Sequence, residues 1–237
     1  MSEFATTSLT ASLASRRRFI AGIGIGAGVI ALPGCASYGG GWTMEDAIRR
    51  LLYVSSERAF ARMLAPGGFW ENQVGALGLE NLLGTRGGVL SSILTSSLFR
   101  DRLAGAFADI AIEGAYRAAP LVTDAVRVIG FQNALALVRG GPTAATGFLR
   151  QNLGMTLVEA MVPEIGQAMR VANEPLVGQL LAAATGVDVG GIANTLSRNI
   201  DNAIWNEMGF EETEIRRNPR ATNDPVLIGV FGAANAF

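Results

Sequence analysis

The sequence predicts an all-α protein: a single globular multi-helix domain of about eight to ten helices, several of them short, behind a cleaved N-terminal signal peptide. Three observations predict it. Apolar residues recur three and four positions apart through most of the chain, the spacing of a helix face. No stretch alternates convincingly between apolar and polar. The 30 Gly and 8 Pro punctuate the chain at helix-length intervals.

Residues 36–41 are small and read as a short tether, so the organisation is 1–34 signal peptide, 35–42 anchor and tether, and 43–237 helical domain. Thr43 is a good N-cap, and Asp46 stands at the reciprocal capping-box position. Ile48, Leu51, Leu52, Ala59 and Met63 give the first helix its buried face, with Glu45–Arg49 and Asp46–Arg50 as outer pairs. Pro66-Gly67-Gly68 ends it, and 69–88, broken by five Gly, reads as short helical turns and loop. Residues 89–119 read as helix, with Leu103, Phe107, Ile110 and Ala111 as a stripe. Pro120 marks a boundary before a short helix over 121–129. Pro142 or Thr143 starts a helix through 144–171, kinked or broken at Pro163. Glu174-Pro175 precedes a segment over 176–184. Asp188 caps a helix carrying Ile192, Leu196, Ile200 and Ile204. Residues 211–217 read as a separate charged helix, acids first and arginines last, stopped by Asn218-Pro219. The apolar segment 226–231 has no strand partner in view and reads as a packed terminal helix.

The first 35 residues follow the order of an export signal. Arg16 and Arg17 with Phe19 stand in Ser15-Arg16-Arg17-Arg18-Phe19-Ile20, the pattern of a twin-arginine signal, although the general secretory route remains open. The uncharged stretch from Phe19 to Leu32 is shorter than the ~20 residues a spanning helix needs. Leu32, Pro33 and Gly34 before Cys35 form a lipobox, which makes Cys35 the acylated first residue of the mature chain. Two or more acyl chains hold a protein stably to a membrane. The expected partner is thus the membrane through the lipid on Cys35, with an envelope protein as a further possible partner. Ala36 after the cysteine favours the outer membrane over the inner, facing the periplasm. The Gly-rich run Gly22–Gly28 imitates a dinucleotide fingerprint but lies inside the signal.

Composition removes several chemistries. The chain has no His, all 19 basic residues are Arg, and Cys35 is the sole cysteine. An imidazole triad, a His-ligated zinc, a lysine Schiff base and an intrachain disulfide are therefore impossible. No cofactor and no metal are expected. Without residues 1–34 the chain carries 16 Arg against 19 acids, about −3, so no basic footprint for nucleic acid survives.

Gly140-Gly141-Pro142-Thr143-Ala144-Ala145-Thr146-Gly147-Phe148 now joins a series. Asp124-Ala125 precedes it. Asp201, Glu211-Glu212-x-x-Ile215-Arg216-x-Asn218-Pro219 and Val230-Phe231-Gly232 follow. Together these resemble the bacterial family filed as domain of unknown function 4197, over roughly 45–232. The resemblance implies an exported protein, often a lipoprotein, and implies no activity. The family usually has Asp where Asn133 stands, and a Lys shortly before the position of Asp201; this chain has neither.

Candidate polar groups are few. Asp201, Glu207, Glu211 and Arg216 form the best set. Glu207 and Glu211 on one continuous helix would share a face, able to share a proton or hold Ca²⁺ or Mg²⁺, unless Gly209 breaks the helix. The bland alternative is a solvated face of Glu–Arg pairs. Thr143 and Thr146 offer donors to an anion at a helix start, against the plainer role of a cap. Trp42, Trp70 and Trp205 would line a groove or serve as core and tether anchors. Asp201 on an apolar helix needs a partner, an Arg for preference. The expected function is a non-enzymatic, lipid-anchored envelope protein with a structural or protein-interaction role. The alternatives are a binding protein for a lipid or other apolar small molecule, and an Asp/Glu-based hydrolase.

Overall fold

The structure is a computed structural model that describes residues 42–66, 68–77, 97–171 and 189–234. These all belong to one compact unit, Trp42–Phe237. The signal and lipobox (Arg16, Arg17, Phe19, Leu32, Pro33, Gly34, Cys35), the tether to Gly41, the helix proposed over 176–184 and the Asp188 cap lie outside the described residues.

The described residues form eight α-helices, one 3₁₀ turn and no strand, so the all-α expectation holds. They are α1 (Met44–Leu64), α2 (Phe69–Leu77), α3 (Ser97–Val128), α4 (Ala134–Arg139), α5 (Ala144–Leu153), α6 (Thr156–Val171), α7 (Val189–Arg217), the 3₁₀ turn Pro219–Thr222 and α8 (Pro225–Ala234). Helices α1, α3, α6 and α7 close a ring in which each packs against its two neighbours. Helix α2 lies on α3, α4 and α8 on α1, and α5 on α7. Ile48, Leu51, Leu52, Leu103, Phe107, Met161, Ile165, Leu196 and Ile204 fill the interior. Burying one such side chain is worth about 1.5–3 kcal/mol.

The start of α1 is as the sequence predicts. Thr43 Oγ1 accepts from the Asp46 N–H at 3.0 Å, and the Asp46 carboxylate accepts from the Thr43 N–H at 3.0 Å. Hydrogen bonds from the Thr43 hydroxyl and N–H hold the Asp46 carboxyl below its ordinary range. Glu45–Arg49 forms at 2.8 Å. Asp46–Arg50 does not form, because Asp46 is spent on the cap and Arg50 pairs with Asp224.

Several boundaries sharpen or differ from expectation, each for a physical reason. Within the stretch read as short helical turns and loop, 69–77 is a single nine-residue helix, held by Trp70 and Val74 buried against α3. Helix α3 runs unbroken through Pro120, and of the kink or break expected at Pro163 the break is absent, since α6 continues through it. Both rings stand on exposed faces, and burial of Ala118, Ala119 and Val122, or of Met161 and Ile165, offsets the lost backbone bond. Helix α7 is a single 29-residue rod, so 211–217 is its last two turns rather than a helix of its own. Conversely, 144–171 is two helices, parted at Gly154 with φ 54° and ψ −123°. A side chain is strained in that region, so Gly154→Ala should lower the unfolding free energy by about 1–3 kcal/mol in a urea titration. An unchanged midpoint would show that the turn relaxes freely.

Candidate functional site

The polar residues singled out in the sequence all fall on or against α7 from Asp201 onward, but not as one cluster. Glu207 and Glu211 do share a face, because α7 continues through Gly209. Gly209 is buried, and a Cβ there would stand 3.1 Å from the Thr143 methyl, so its smallness serves close approach of α5 rather than a break. The space between the two carboxylates is taken by Arg62 of α1. Its Nη1 donates to Glu207 at 2.9 Å and its Nη2 to the buried Glu211, while its guanidinium lies 4.6 Å from the centre of the Phe210 ring. A cation thus already sits where a shared proton or a metal would go.

One residue further on, on the next face of α7, Glu212 is wholly buried. It accepts from the N–H groups of Ala145 at 3.0 Å and Thr146 at 2.7 Å, the first turn of α5. The other first-turn donors bond locally, Ala144 to the Gly141 carbonyl and Gly147 to the Thr143 carbonyl. Thr143 makes no side-chain cap bond and the Thr146 hydroxyl has no hydrogen-bond partner, so Glu212 takes the place of an N-cap. Neither threonine hydroxyl serves an anion here; the donors at this helix start are the Ala145 and Thr146 N–H groups, and the chain's own carboxylate takes them.

Arg216 completes this joint. It donates from Nε to Glu212 at 2.8 Å, with Nη2 at 2.7 Å from the same oxygen, and from Nη1 and Nη2 to the Val138 and Leu137 carbonyls, each at 2.9 Å. Those carbonyls end α4. A single ion pair therefore sets a carboxylate on the start of α5 and a guanidinium on the end of α4, the favourable sign at each end. The Phe231 ring of α8 covers the guanidinium at 4.9 Å.

Asp201 is buried one face away. Trp205 Nε1 donates to it at 2.7 Å and Arg150 at 3.1 Å, and Arg150 also bonds Asn202. The expected arginine partner is present. Burial pushes the Asp201 carboxyl above its ordinary value, against the hydrogen bonds from Trp205 and Arg150 that draw it down. A carboxyl with a raised native pKa binds its proton more tightly when folded. Its contribution is then full below the unfolded value of about 4 and is lost as pH rises through the native value. Asp201→Asn keeps an acceptor for Trp205 and removes this dependence. The difference in urea-unfolding free energy, wild type minus variant, should therefore fall as the pH rises from about 4. A difference flat with pH would contradict the assignment.

Asp224, which the sequence reading passed over, is a fourth knot. It caps α8 through the N–H groups of Val226 at 3.0 Å and Leu227 at 3.2 Å, and pairs with Arg50. The signal was legible: an Asp immediately before Pro225 at a helix start.

The tryptophans do not share a groove. Trp70 and Trp205 are buried beside separate cavities of about 170 and 510 Å³, and exposed Trp42 stands at a third of about 500 Å³. Among the described residues, no three His, Cys, Asp or Glu side chains gather to hold a metal ion, and no helix is long and apolar enough to cross a membrane.

The segments meeting at the Glu212–Arg216 joint are those that carried the resemblance, and a family profile matches residues 41–232. The chain belongs to the DUF4197 family, described as protein of unknown function. No curated protein and no solved structure matches it. In this DUF4197 chain the Gly-Gly-x-Thr-Ala-Ala-Thr segment, the Glu-Glu-x-x-Ile-Arg segment and the terminal Val-Phe-Gly segment meet at one joint. Asp124 differs: it is exposed and pairs with Arg127, at 3.4 Å.

Proposed function

We propose that this DUF4197 protein is a lipoprotein of the cell envelope, exported by the twin-arginine route and acylated at Cys35. Its helical domain acts through a protein partner or as a structural element, without catalysis. The observation that carries the reading is the state of the buried acids. Asp201, Glu211, Glu212 and Asp224 are each held by an arginine, and Glu212 and Asp224 also cap helices. A hydrolase built on carboxylates needs two of them about 5–10 Å apart and open to substrate. Here Glu207 and Glu211 enclose Arg62, and Asp201 takes a different arginine. With no His and no Lys in the chain, neither an imidazole nor an amine stands in for them.

The second reading, a binding protein for an apolar small molecule, rests on the groove beside Trp42. Its volume of about 500 Å³ lies within the ~300–1,000 Å³ of ligand sites.

Native mass spectrometry of the protein taken from its own membranes tests both. The proposal expects a mature chain beginning at Cys35, heavier by its acyl groups and otherwise bare or in complex with a protein. A non-covalent addition of a few hundred daltons would favour the small-ligand reading instead. An N-terminus elsewhere, or an unmodified Cys35, would overturn the anchor.

A further inference from the structure

The groove at Trp42 lies between the start of α1, the end of α3 and the start of α8. Trp42 is 59% exposed and Tyr53 41%, an unusual degree of exposure for two large aromatics lining one depression. Each has an apolar ring and a polar N–H or O–H, the combination that settles at the boundary between water and a bilayer. Arg49, Arg50 and Arg127 line the same groove with only Asp46 and Asp224 as acids, and the Arg127 side chain is 73% exposed. Arg50 is committed to Asp224 and lies 5.9 Å from the Tyr53 ring. Arg49 and Arg127 pair with Glu45 and Asp124 beside the groove, so what it offers phospholipid headgroups is its interfacial aromatics next to one largely exposed guanidinium, that of Arg127.

Chain length adds the second argument. Trp42 follows Cys35 by seven residues, a reach of at most about 25 Å when fully extended. An acyl anchor on Cys35 would confine Trp42 to the neighbourhood of the headgroups whatever path the tether takes. An exposed indole held there gains free energy by entering the interface. We infer that this groove is the surface on which the domain rests against the phospholipid bilayer carrying its own anchor, with Trp42 and Tyr53 in the headgroup layer and Arg127 against phosphate. The inference rests on the acylation proposed above.

The test supplies the anchor chemically. Cys35 is the chain's sole thiol, so the mature protein couples through it to a maleimide-headgroup lipid in phosphatidylethanolamine–phosphatidylglycerol vesicles. Trp70 and Trp205 are each 3% exposed, which leaves Trp42 as the responsive indole. Lipids brominated near the headgroup end of their acyl chains should quench emission by an amount approaching the share of one indole among three, with a blue shift. Trp42→Phe should show neither effect. Emission indifferent to bromine would overturn the proposal. So would a blue shift without bromine quenching that grows with protein density, since that places a second copy of the chain on the groove. Labelling the host with a fatty acid separates the two failures. Acylated Cys35 with unquenched Trp42 sinks the groove alone, and quenched Trp42 with unacylated Cys35 sinks the anchor alone.

Discussion

Glu212→Ala is expected to unfold far earlier in denaturant than the wild type, with a loss of about 3–5 kcal/mol. Three costs combine. The N–H groups of Ala145 and Thr146 lose their acceptor at a buried helix start. The Arg216 side chain, 10% exposed, loses this carboxylate while remaining pinned by the Leu137 and Val138 carbonyls. The volume of the side chain is left empty. Glu212→Gln, which can still accept one N–H bond, should fall between alanine and wild type. Urea titration of the three proteins checks the order. A Glu212→Ala midpoint equal to that of wild type would show that the joint holds nothing together.

Gly114→Leu should cost about 2–3 kcal/mol through overpacking. Gly114 lies where α3 meets both α6 and α7. A Cβ there would stand 2.9 Å from Ile200 Cδ1 and 3.2 Å from Ile165 Cδ1. Gly114→Ala is a milder insertion. The methyl displaces only the ends of two flexible side chains, and the gain of about 1 kcal/mol in helix propensity offsets that. Adding Ile200→Ala to Gly114→Leu should recover part of the loss, because it opens the space the leucine needs. Thermal unfolding of the set reads the result. A leucine variant as stable as wild type would mean the three helices are less closely packed than described.

What could be read from sequence was local. The capping box at Thr43 and Asp46, the Glu45–Arg49 pair, the buried stripe of α1 and the terminal helix at 225–234 depend on residues a few positions apart, and they stand as expected. The boundaries failed where a long-range contact outweighed a local cue. Pro120 and Gly209 carry the marks of helix ends, yet burial on both sides keeps α3 and α7 continuous. Gly154 carries no stronger mark than Gly147 seven residues earlier, but it alone adopts positive φ. The candidate site failed for the same reason. Glu212 caps α5 from 67 residues away, and Arg62 reaches Glu211 across 149, distances over which spacing carries no signal. A cluster of acids and arginines near a helix end looks alike in sequence whether it is solvated, catalytic or a joint between helices. The order of the family's segments was legible, and their meeting at Glu212 and Arg216 was not.

Amide hydrogen exchange at Ala145 and Thr146 tests the central claim most directly. N–H groups of a first helical turn ordinarily lack an intrahelical acceptor and exchange readily. If Glu212 is the cap of α5, both amides should exchange as slowly as the interior of α7, and Glu212→Ala should release them while the protein remains folded. Rapid exchange at both positions in the folded wild type would contradict the joint, and with it the account of these acids as architecture.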